Sequence, residues 1–282
     1  MLTLKAALED ATASIGKVDA QALITFLLGV DRAYLVANPT RVLTESEDAR
    51  VDMLVAQRSI GHPVAYLTGT REFYSRDFAV GPDVLIPRPE TETLVEGALA
   101  RLAAPGAPPG AMAPGPTSVL DLGTGSGAIA ITLACERPDL AVTATDASPA
   151  ALDMARQNAA THGRPIELVH GEWYAPVAGR RFDMIVANPP YVAAGDPHLA
   201  QGDLRFEPVR ALTDGSTDGL ASTRAIVQGA PGHLKPGGWL LLEHGYDQAE
   251  GVRGLLQGAG FRDLVSIQDL AGIPRVAGGT IG

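Results

Sequence analysis

Along the first 70 residues, apolar positions recur three and four apart, the spacing of one face of a helix. "LKAALEDA" and "DAQALITFLLGV" show it plainly. "TESEDARVDMLVAQRSIG" adds an acidic first turn, a Thr44 or Ser46 cap and a stop at Gly61. No strand signal precedes Tyr66, so this part reads as a small helical bundle. The pattern then changes. In "YLTGTREFYSRDFAVGPDVLIPRPETE", aromatic and β-branched residues flank Ser75 to Asp77, which predicts a short hairpin. "IPRPETE" reads as a rigid connector, with Pro89, Glu90 and Glu92 suited to the first turn of a helix running to about Ala103.

From Ser118 the periods alternate. "SVLDLG" reads as a strand and "GAIAITLACERP" as a helix. "AVTATDA" is a strand and "SPAALDMARQNAATHG" a helix with a Ser148 cap and a Gly163 stop. "IELVHG" and "FDMIVANPP" are strands, and a helix falls within residues 216–234 after a long loop. "GWLLLEHG" is a strand, "DQAEGVRGLLQGAG" a helix and "FRDLVSIQDL" a strand, with "RVAGGTIG" as a final edge strand. Strands alternating with helices predict an α/β fold with a doubly wound, mostly parallel sheet. The Pro/Gly/Ala-rich stretch 104–117 interrupts the pattern and predicts a surface loop. No internal repeat is visible.

Composition narrows the choices. With 282 residues, 46% hydrophobic and 19% charged, the chain is long enough for a substantial core. A formal net charge of −10 gives no general attraction to phosphate backbones, so no direct nucleic-acid binding is expected. The single cysteine, Cys135, excludes an internal disulfide, fits a reducing compartment and reads as a buried, inert thiol on a helix. No apolar run reaches membrane-spanning length, and the first residues lack a signal peptide's apolar stretch; a cytoplasmic location without membrane association is expected. His62, His162, His170, His198, His233 and His244 show no paired spacing, so no metal site is expected.

Two stretches carry chemistry. In "DLGTGSGAIA", Gly123, Gly125 and Gly127 join a strand to a helix and let a ligand lie against backbone. Asp146 ends the next strand, 19 residues after Gly127, where a carboxylate can accept from ribose hydroxyls. An adenosine-type cofactor follows. A dinucleotide stays open, since Gly123-x-Gly125-x-x-Ala128 also satisfies the looser G-x-G-x-x-G/A pattern. In "IVANPPYVAAG", Asn188 ends a strand predicted to open on the same crevice. Pro189 and Pro190 stiffen the segment, so that the Asn188 side-chain oxygen and the Pro189 carbonyl become fixed acceptors beside the flat ring of Tyr191. That set suits a planar group bearing an NH₂. Such a nitrogen is a poor nucleophile because its lone pair is delocalised; the scale shows in the ~18–20 kcal/mol peptide rotation barrier. Two acceptors on its hydrogens favour a pyramidal nitrogen with its lone pair aimed at an electrophile such as a sulfonium methyl. No base is required before attack, because the proton becomes acidic only once the methyl has arrived.

With these residues in place, the chain resembles class I S-adenosylmethionine-dependent methyltransferases that act on planar nitrogen. More closely, it resembles the HemK-type family of peptide chain release factor N(5)-glutamine methyltransferases. "YLTGTREFYSRDFAV", "LIPRPETE", "DLGTGSGAIAI", "ANPPYV", "DLRFEPVRAL" and "LLLEHGYDQ" carry the likeness, in that order, over nearly the whole chain. The resemblance implies a seven-stranded methyltransferase sheet behind a helical bundle: a helical substrate-docking domain over 1–75, a hairpin and connector over 76–92, and the methyltransferase domain over 93–282. It implies S-adenosylmethionine as cofactor and, as partner and substrate, class 1 release factors, methylated on the glutamine of a Gly-Gly-Gln motif. It places Gly123, Thr124, Gly125, Ser126 and Gly127 along the cofactor, Asp146 on its ribose and Trp173 by its adenine. Asn188, shared with the cofactor, and Pro189 would hold the glutamine amide, with Pro190 and Tyr191 completing the slot; Asn188, Pro189 and Tyr191 would be catalytic. Glu207 and Pro208 would brace the active-site loop, against a solvated carboxylate as the alternative. Glu243 reads as a structural hydrogen-bonding group. Glu172 departs from the family's aspartate before the tryptophan, and 104–117 is longer than usual. A nucleic-acid adenine methyltransferase, or another protein-glutamine methyltransferase, is the alternative for the same Asn-Pro-Pro-Tyr set.

Overall fold

The structure is a computed structural model that describes residues 2–102 and 117–282. The Pro/Gly/Ala-rich stretch read as a surface loop lies, apart from Thr117, outside the described residues. Two compact units are present, one formed by residues 1–70 with 200–206, the other by 71–199 with 207–282.

The first unit contains helices α1 (Leu4–Ile15), α2 (Lys17–Leu28), α3 (Arg32–Ala37), α4 (Glu45–Ser59) and α5 (Val64–Thr68). Between the two candidate caps, the structure selects Thr44. Its hydroxyl accepts from the Glu47 backbone N–H at 3.2 Å, and the Glu47 carboxylate accepts from the Thr44 N–H at 2.9 Å. This reciprocal pairing satisfies donors that the first turn leaves orphaned. Leu4, Ala7 and Ala11 of α1, Ala20 and Ile24 of α2, Leu35 of α3 and Val51 of α4 form one core. The segment 200–206 joins this unit through Asp203, which accepts from Arg58 at 2.6 Å, while Arg58 also reaches Asp19 at 2.6 Å. The Phe206 ring lies 4.2 Å, centroid to centroid, from His62.

The predicted hairpin is formed by β1 (Thr70–Phe73) and β2 (Arg76–Ala79), so it begins inside the stretch assigned above to the helical module. Both turn residues, Tyr74 and Ser75, have positive φ (52° and 57°). A two-residue turn of that kind matches the twist of the flanking strands. After a single 3₁₀ turn at Pro89–Thr91 comes α6 (Glu92–Leu102). Then follow β3 (Ser118–Leu122), α7 (Ala128–Glu136), β4 (Ala141–Asp146), α8 (Pro149–Thr161), β5 (Glu167–His170) and β6 (Phe182–Ala187). The chain closes with α9 (Val209–Leu212), α10 (Ala221–His233), β7 (Leu234–Glu243), α11 (Ala249–Gly258), β8 (Arg262–Gln268) and β9 (Pro274–Thr280).

Seven strands make one sheet in the order β5-β4-β3-β6-β7-β9-β8, parallel from β5 to β7 and antiparallel across the last two pairings. The doubly wound, mostly parallel fold is as expected. Successive side chains of a strand point to opposite faces, and the core divides accordingly. Val119, Met184, Val186 and Leu241 pack with α6 and α7 on one face. Leu120, Leu122, Ile185, Leu240 and Leu242 pack with α10 and α11 on the other. Cys135 lies on α7 as expected but is half-buried at the edge of the first cluster rather than enclosed. Among the described residues, no helix is long and apolar enough to cross a membrane.

One expectation needs correcting. "RVAGGTIG" is not an edge strand: β9 inserts between β7 and β8, and β8 is the edge. Glycines in a strand suggest a weak, peripheral position, but here they serve close packing inside the sheet. A Cβ on Gly278 would collide with the Leu240 carbonyl and come within 2.6 Å of Leu241 Cδ2. Gly278→Ala should therefore lower the unfolding free energy by about 1–3 kcal/mol, as overpacking does, read as a lower midpoint in urea. An unchanged midpoint would contradict the interior placement.

Candidate functional site

The site is laid out by strand register. Leu122, the last residue of β3, pairs with Thr145 of β4 on one side and with Ala187 of β6 on the other. The residues that follow, Gly123, Asp146 and Asn188, therefore stand side by side at the sheet's carboxyl edge, with Asp146 as the last residue of β4. Strands are 4.7–4.9 Å apart, so Asp146 and Asn188 stand ~10 Å apart across the glycine loop. This is the switch point of the sheet, because β3 leads through α7 to β4 on one side and β6 lies on the other.

The loop is tied down at several points. Gly123 and Thr124 both donate their N–H to the Thr145 carbonyl, at 2.9 and 3.0 Å. The Thr124 hydroxyl donates to Asp121 Oδ2 at 2.7 Å. Asp121 is fully buried, and burial pushes its carboxyl up to about 7, with the Thr124 bond acting in the opposite direction. Gly127 has φ +83°, and a Cβ there would come within 2.7 Å of Ile131 Cδ1 and 3.2 Å of Ala155 Cβ, so another residue would be strained at the start of α7. Asp146 is held by two backbone donors, Gly125 N–H to Oδ2 at 2.9 Å and Ser148 N–H to Oδ1 at 2.8 Å. Each carboxylate oxygen has a second lone pair, so both can still accept from a vicinal diol.

Around these residues lies a cavity of about 660 Å³, within the usual range for a nucleoside-sized ligand. Gly123, Thr124, Gly125, Ser126, Asp146, Glu172, Trp173, Asn188, Pro189 and Pro190 line it. Trp173 has φ 44°, a left-handed conformation uncommon for a bulky side chain, and its ring lies 3.6 Å from where a Cβ on Gly123 would be. Two residues expected at the site do not line the cavity. Gly127 is turned away as the start of α7, against Ile131 and Ala155. Tyr191 lies behind the wall because its hydroxyl donates inward to Glu243 Oε1, at 3.4 Å, and its carbonyl accepts from Gln248 Nε2 at 2.9 Å.

Asn188 is oriented from behind as well. Its Nδ2 donates to Thr91 Oγ1 at 3.2 Å. Among the described residues, neither its Oδ1 nor the Pro189 carbonyl accepts a protein hydrogen bond. Another part of the wall comes from residues that the pattern treated as connector. Asp83, Val84, Leu85, Pro87, Arg88 and Thr91 all line the cavity, and so do Asp214 and Ser222. Glu207 braces this wall. Its side chain is fully buried, accepts from the Ile86 N–H at 3.0 Å and pairs with Arg88. This favours the bracing reading of Glu207 over a solvated carboxylate. Glu243, at the end of β7, is also buried; burial pushes its carboxyl up to about 7, while the Thr91 and Tyr191 hydroxyls and the charge of Arg275 pull it down. The signal for Thr91 was present in the sequence, in "PRPETE", but nothing local says that a threonine in a first helical turn faces the end of a strand 97 residues away.

The donor set fits S-adenosylmethionine. A carboxylate with free lone pairs and an indole line the same cavity as a glycine loop, which suits a ribose diol and an adenine.

Comparison with known proteins agrees with this reading. Residues 112–204 match the family model "Methyltransferase small domain", and residues 3–69 match "PrmC N-terminal domain". The chain is 50% identical over 275 residues to the release factor glutamine methyltransferase of Xylella fastidiosa, covering 97% of this chain and 96% of that one. It is 50% identical over 271 residues to the enzyme of the same name from Burkholderia pseudomallei, covering 94% and 92%. Among solved structures, a methyltransferase from Pyrococcus furiosus superposes with a TM-score of 0.54 at 19% identity, covering 83% of this chain and 98% of that one, a likeness of fold. At such identity over nearly its full length, the chain belongs to the family of S-adenosylmethionine-dependent release factor glutamine methyltransferases.

Proposed function

We propose that this protein methylates the side-chain amide nitrogen of the glutamine in the Gly-Gly-Gln motif of class 1 release factors, in the cytoplasm, and that the cavity at the switch point is where it does so. The observation that carries the reading is the pair of unpartnered acceptors, Asn188 Oδ1 and the Pro189 carbonyl, on the wall of the cavity that contains the glycine loop. Bound S-adenosylmethionine supplies a methyl group on a sulfonium, an electrophile that needs no activation by the protein. Gly123 to Ser126, Asp146 and Trp173 hold it: the loop approaches by backbone, Asp146 accepts from the ribose and Trp173 covers the adenine. Asn188 and Pro189 accept the two hydrogens of the glutamine amide and favour a nitrogen lone pair directed into the cavity. Pro190 keeps the segment stiff, and Tyr191 fixes its far end from behind. Methyl transfer would form the N–C bond as the sulfonium's S–C bond breaks and leaves a neutral thioether; the amide nitrogen, now acidic, would release one of its two hydrogens as a proton to water, so no base is required earlier.

A release factor rather than a nucleic acid fits the chain's charge of −10, which offers no source for phosphate contacts. A glutamine side chain alone offers little area to recognise, so specificity must come from elsewhere on the partner. The helical unit exposes Phe26, Val36, Met53 and Ile60, which supports a docking role for it.

Three outcomes are expected. Incubated with labelled S-adenosylmethionine, an intact release factor should take up label on the motif glutamine, located by mass spectrometry. Replacing that glutamine with alanine should remove the label entirely, and duplex DNA and RNA should stay unlabelled; label on adenine would defeat the substrate assignment. Asp146→Ala should weaken cofactor binding by about 1.5–3 kcal/mol, the worth of a hydrogen bond to a charged group, in calorimetry; unchanged affinity would remove Asp146 from the ribose. Asn188→Ala should lower kcat by about a hundredfold or more, as loss of an aligned transition-state partner does, with KM little changed. Wild-type turnover in the folded variant would exclude the role given to Asn188.

A further inference from the structure

The far end of the Asn-Pro-Pro-Tyr segment is pinned at both polar groups of one peptide plane. The Tyr191 carbonyl accepts from Gln248 Nε2 at 2.9 Å, and the next N–H, that of Val192, donates to the Leu212 carbonyl at 2.9 Å. Further on, the Ala194 N–H donates to the Ser216 carbonyl at 2.7 Å. Gln248 stands just before α11, and its whole amide is engaged. Nε2 also donates to the Asp218 carbonyl at 3.0 Å, and Oε1 accepts from the Gly245 N–H at 2.9 Å. A side-chain amide carries its donors on nitrogen and its acceptor on oxygen, so a reversed amide would set oxygen against two carbonyls. Three segments meet at this side chain: the one after β6, the one after β7 and the loop before α10, whose Thr213 and Asp214 line the cavity. The fit is close. A Cβ on Gly219, where φ is +64°, would collide with the Tyr191 carbonyl.

That pinning reaches back to the acceptors of the site. Ala187 is held in the sheet by its pairing with Leu122. Between it and the Val192 N–H, the peptide bonds are planar and the rings of Pro189 and Pro190 fix φ. The torsions left free are φ and ψ of Asn188 and Tyr191 and ψ of each proline. Placing one rigid plane in position and orientation removes as many freedoms, so with that plane held only discrete courses remain for the segment. One of these torsions, ψ of Pro189, sets where the Pro189 carbonyl points relative to its own ring. We propose that Gln248 is a positioning residue for methyl transfer: by holding the Tyr191 carbonyl, it fixes the direction in which the Pro189 carbonyl meets the substrate amide. This rests on the roles given to Asn188 and Pro189 above. Gln248 does not line the cavity; it acts through the backbone of the segment.

Gln248→Glu separates the two kinds of bond. It keeps the shape and the acceptor for the Gly245 N–H, but removes both donors and sets a carboxylate against the carbonyls of Tyr191 and Asp218. With labelled S-adenosylmethionine and intact release factor, it should lower kcat by about ten- to a hundredfold, the scale of a misplaced catalytic partner. The KM for release factor should change little, because the lost interaction acts in the transition state. The Kd for S-adenosylmethionine should keep its wild-type value, because the residues that hold the cofactor are Gly123 to Ser126, Asp146 and Trp173. Gln248→Leu, which removes all three bonds, should lose about as much activity. Were Gln248 needed only to begin α11 through the Gly245 bond, Gln248→Glu would turn over as wild type does. That result, a loss carried by KM alone, or cofactor affinity falling in step with the rate would each overturn the proposal. Gln248→Leu decides by kcat, KM and cofactor Kd if Gln248→Glu does not fold. Asn188→Ala, run beside them, keeps the two readings apart. Wild-type turnover there refutes the site itself, whereas a slow Asn188→Ala beside a fast Gln248→Glu refutes only the role of Gln248.

Discussion

The parallel pairing of β3 with β4 and β6 is the constraint on which the rest of the molecule depends. It sets Leu122 level with Thr145 and Ala187, so the next residue of each strand emerges at one edge of the sheet. Gly123 opens the loop, Asp146 flanks it on one side and Asn188 on the other. A slip of one residue in either pairing would turn every side chain of that strand to the opposite face. The two-sided core forbids the slip, because Val119 and Leu120 belong to different clusters on opposite faces. Hydrophobic packing on both faces thus fixes, to within a residue, where the polar groups of the site stand.

Around that edge the protein buries carboxylates, which is costly unless each is met by donors. Asp121 receives the Thr124 hydroxyl beneath the glycine loop. Glu207 receives the Ile86 N–H and Arg88 behind the connector. Glu243 receives the Tyr191 hydroxyl behind the Asn-Pro-Pro-Tyr segment. Each buried acid lies behind a different part of the cavity wall. Asp146 differs: its carboxylate sits at the cavity, with two backbone donors holding it and lone pairs left over for a ligand.

Much of this was legible in the sequence, for physical reasons that differ by element. The βα alternation from Ser118 onward announced the sheet because buried parallel strands read as short apolar runs. The glycine loop and Asp146 were legible because their spacing follows from the length of one βα unit, and Asn188 because it ends an apolar strand run. Local pattern failed where the partner lies far along the chain. The two glycines of β9 marked an edge strand by local rules, yet they are inside the sheet because the backbone of β7 comes too close for a Cβ. Tyr191 was assigned a face in the slot, but a buried carboxylate 52 residues on draws its hydroxyl inward. The choice between Thr44 and Ser46 was settled only by the Glu47 side chain folding back. Arg88 and Thr91, read as connector, proved to be cavity wall.

On the proposed function, cofactor and glutamine meet at the carboxyl edge of β3, β4 and β6. Amide hydrogen exchange, followed by mass spectrometry with and without S-adenosylmethionine, tests it directly. Protection should appear in peptides covering residues 121–130, 144–149 and 171–174, which form the loop, the ribose side and the adenine side, and should leave β8 and α11 unchanged. Protection confined to other parts of the sheet, with the glycine loop exchanging as freely as before, would contradict the account.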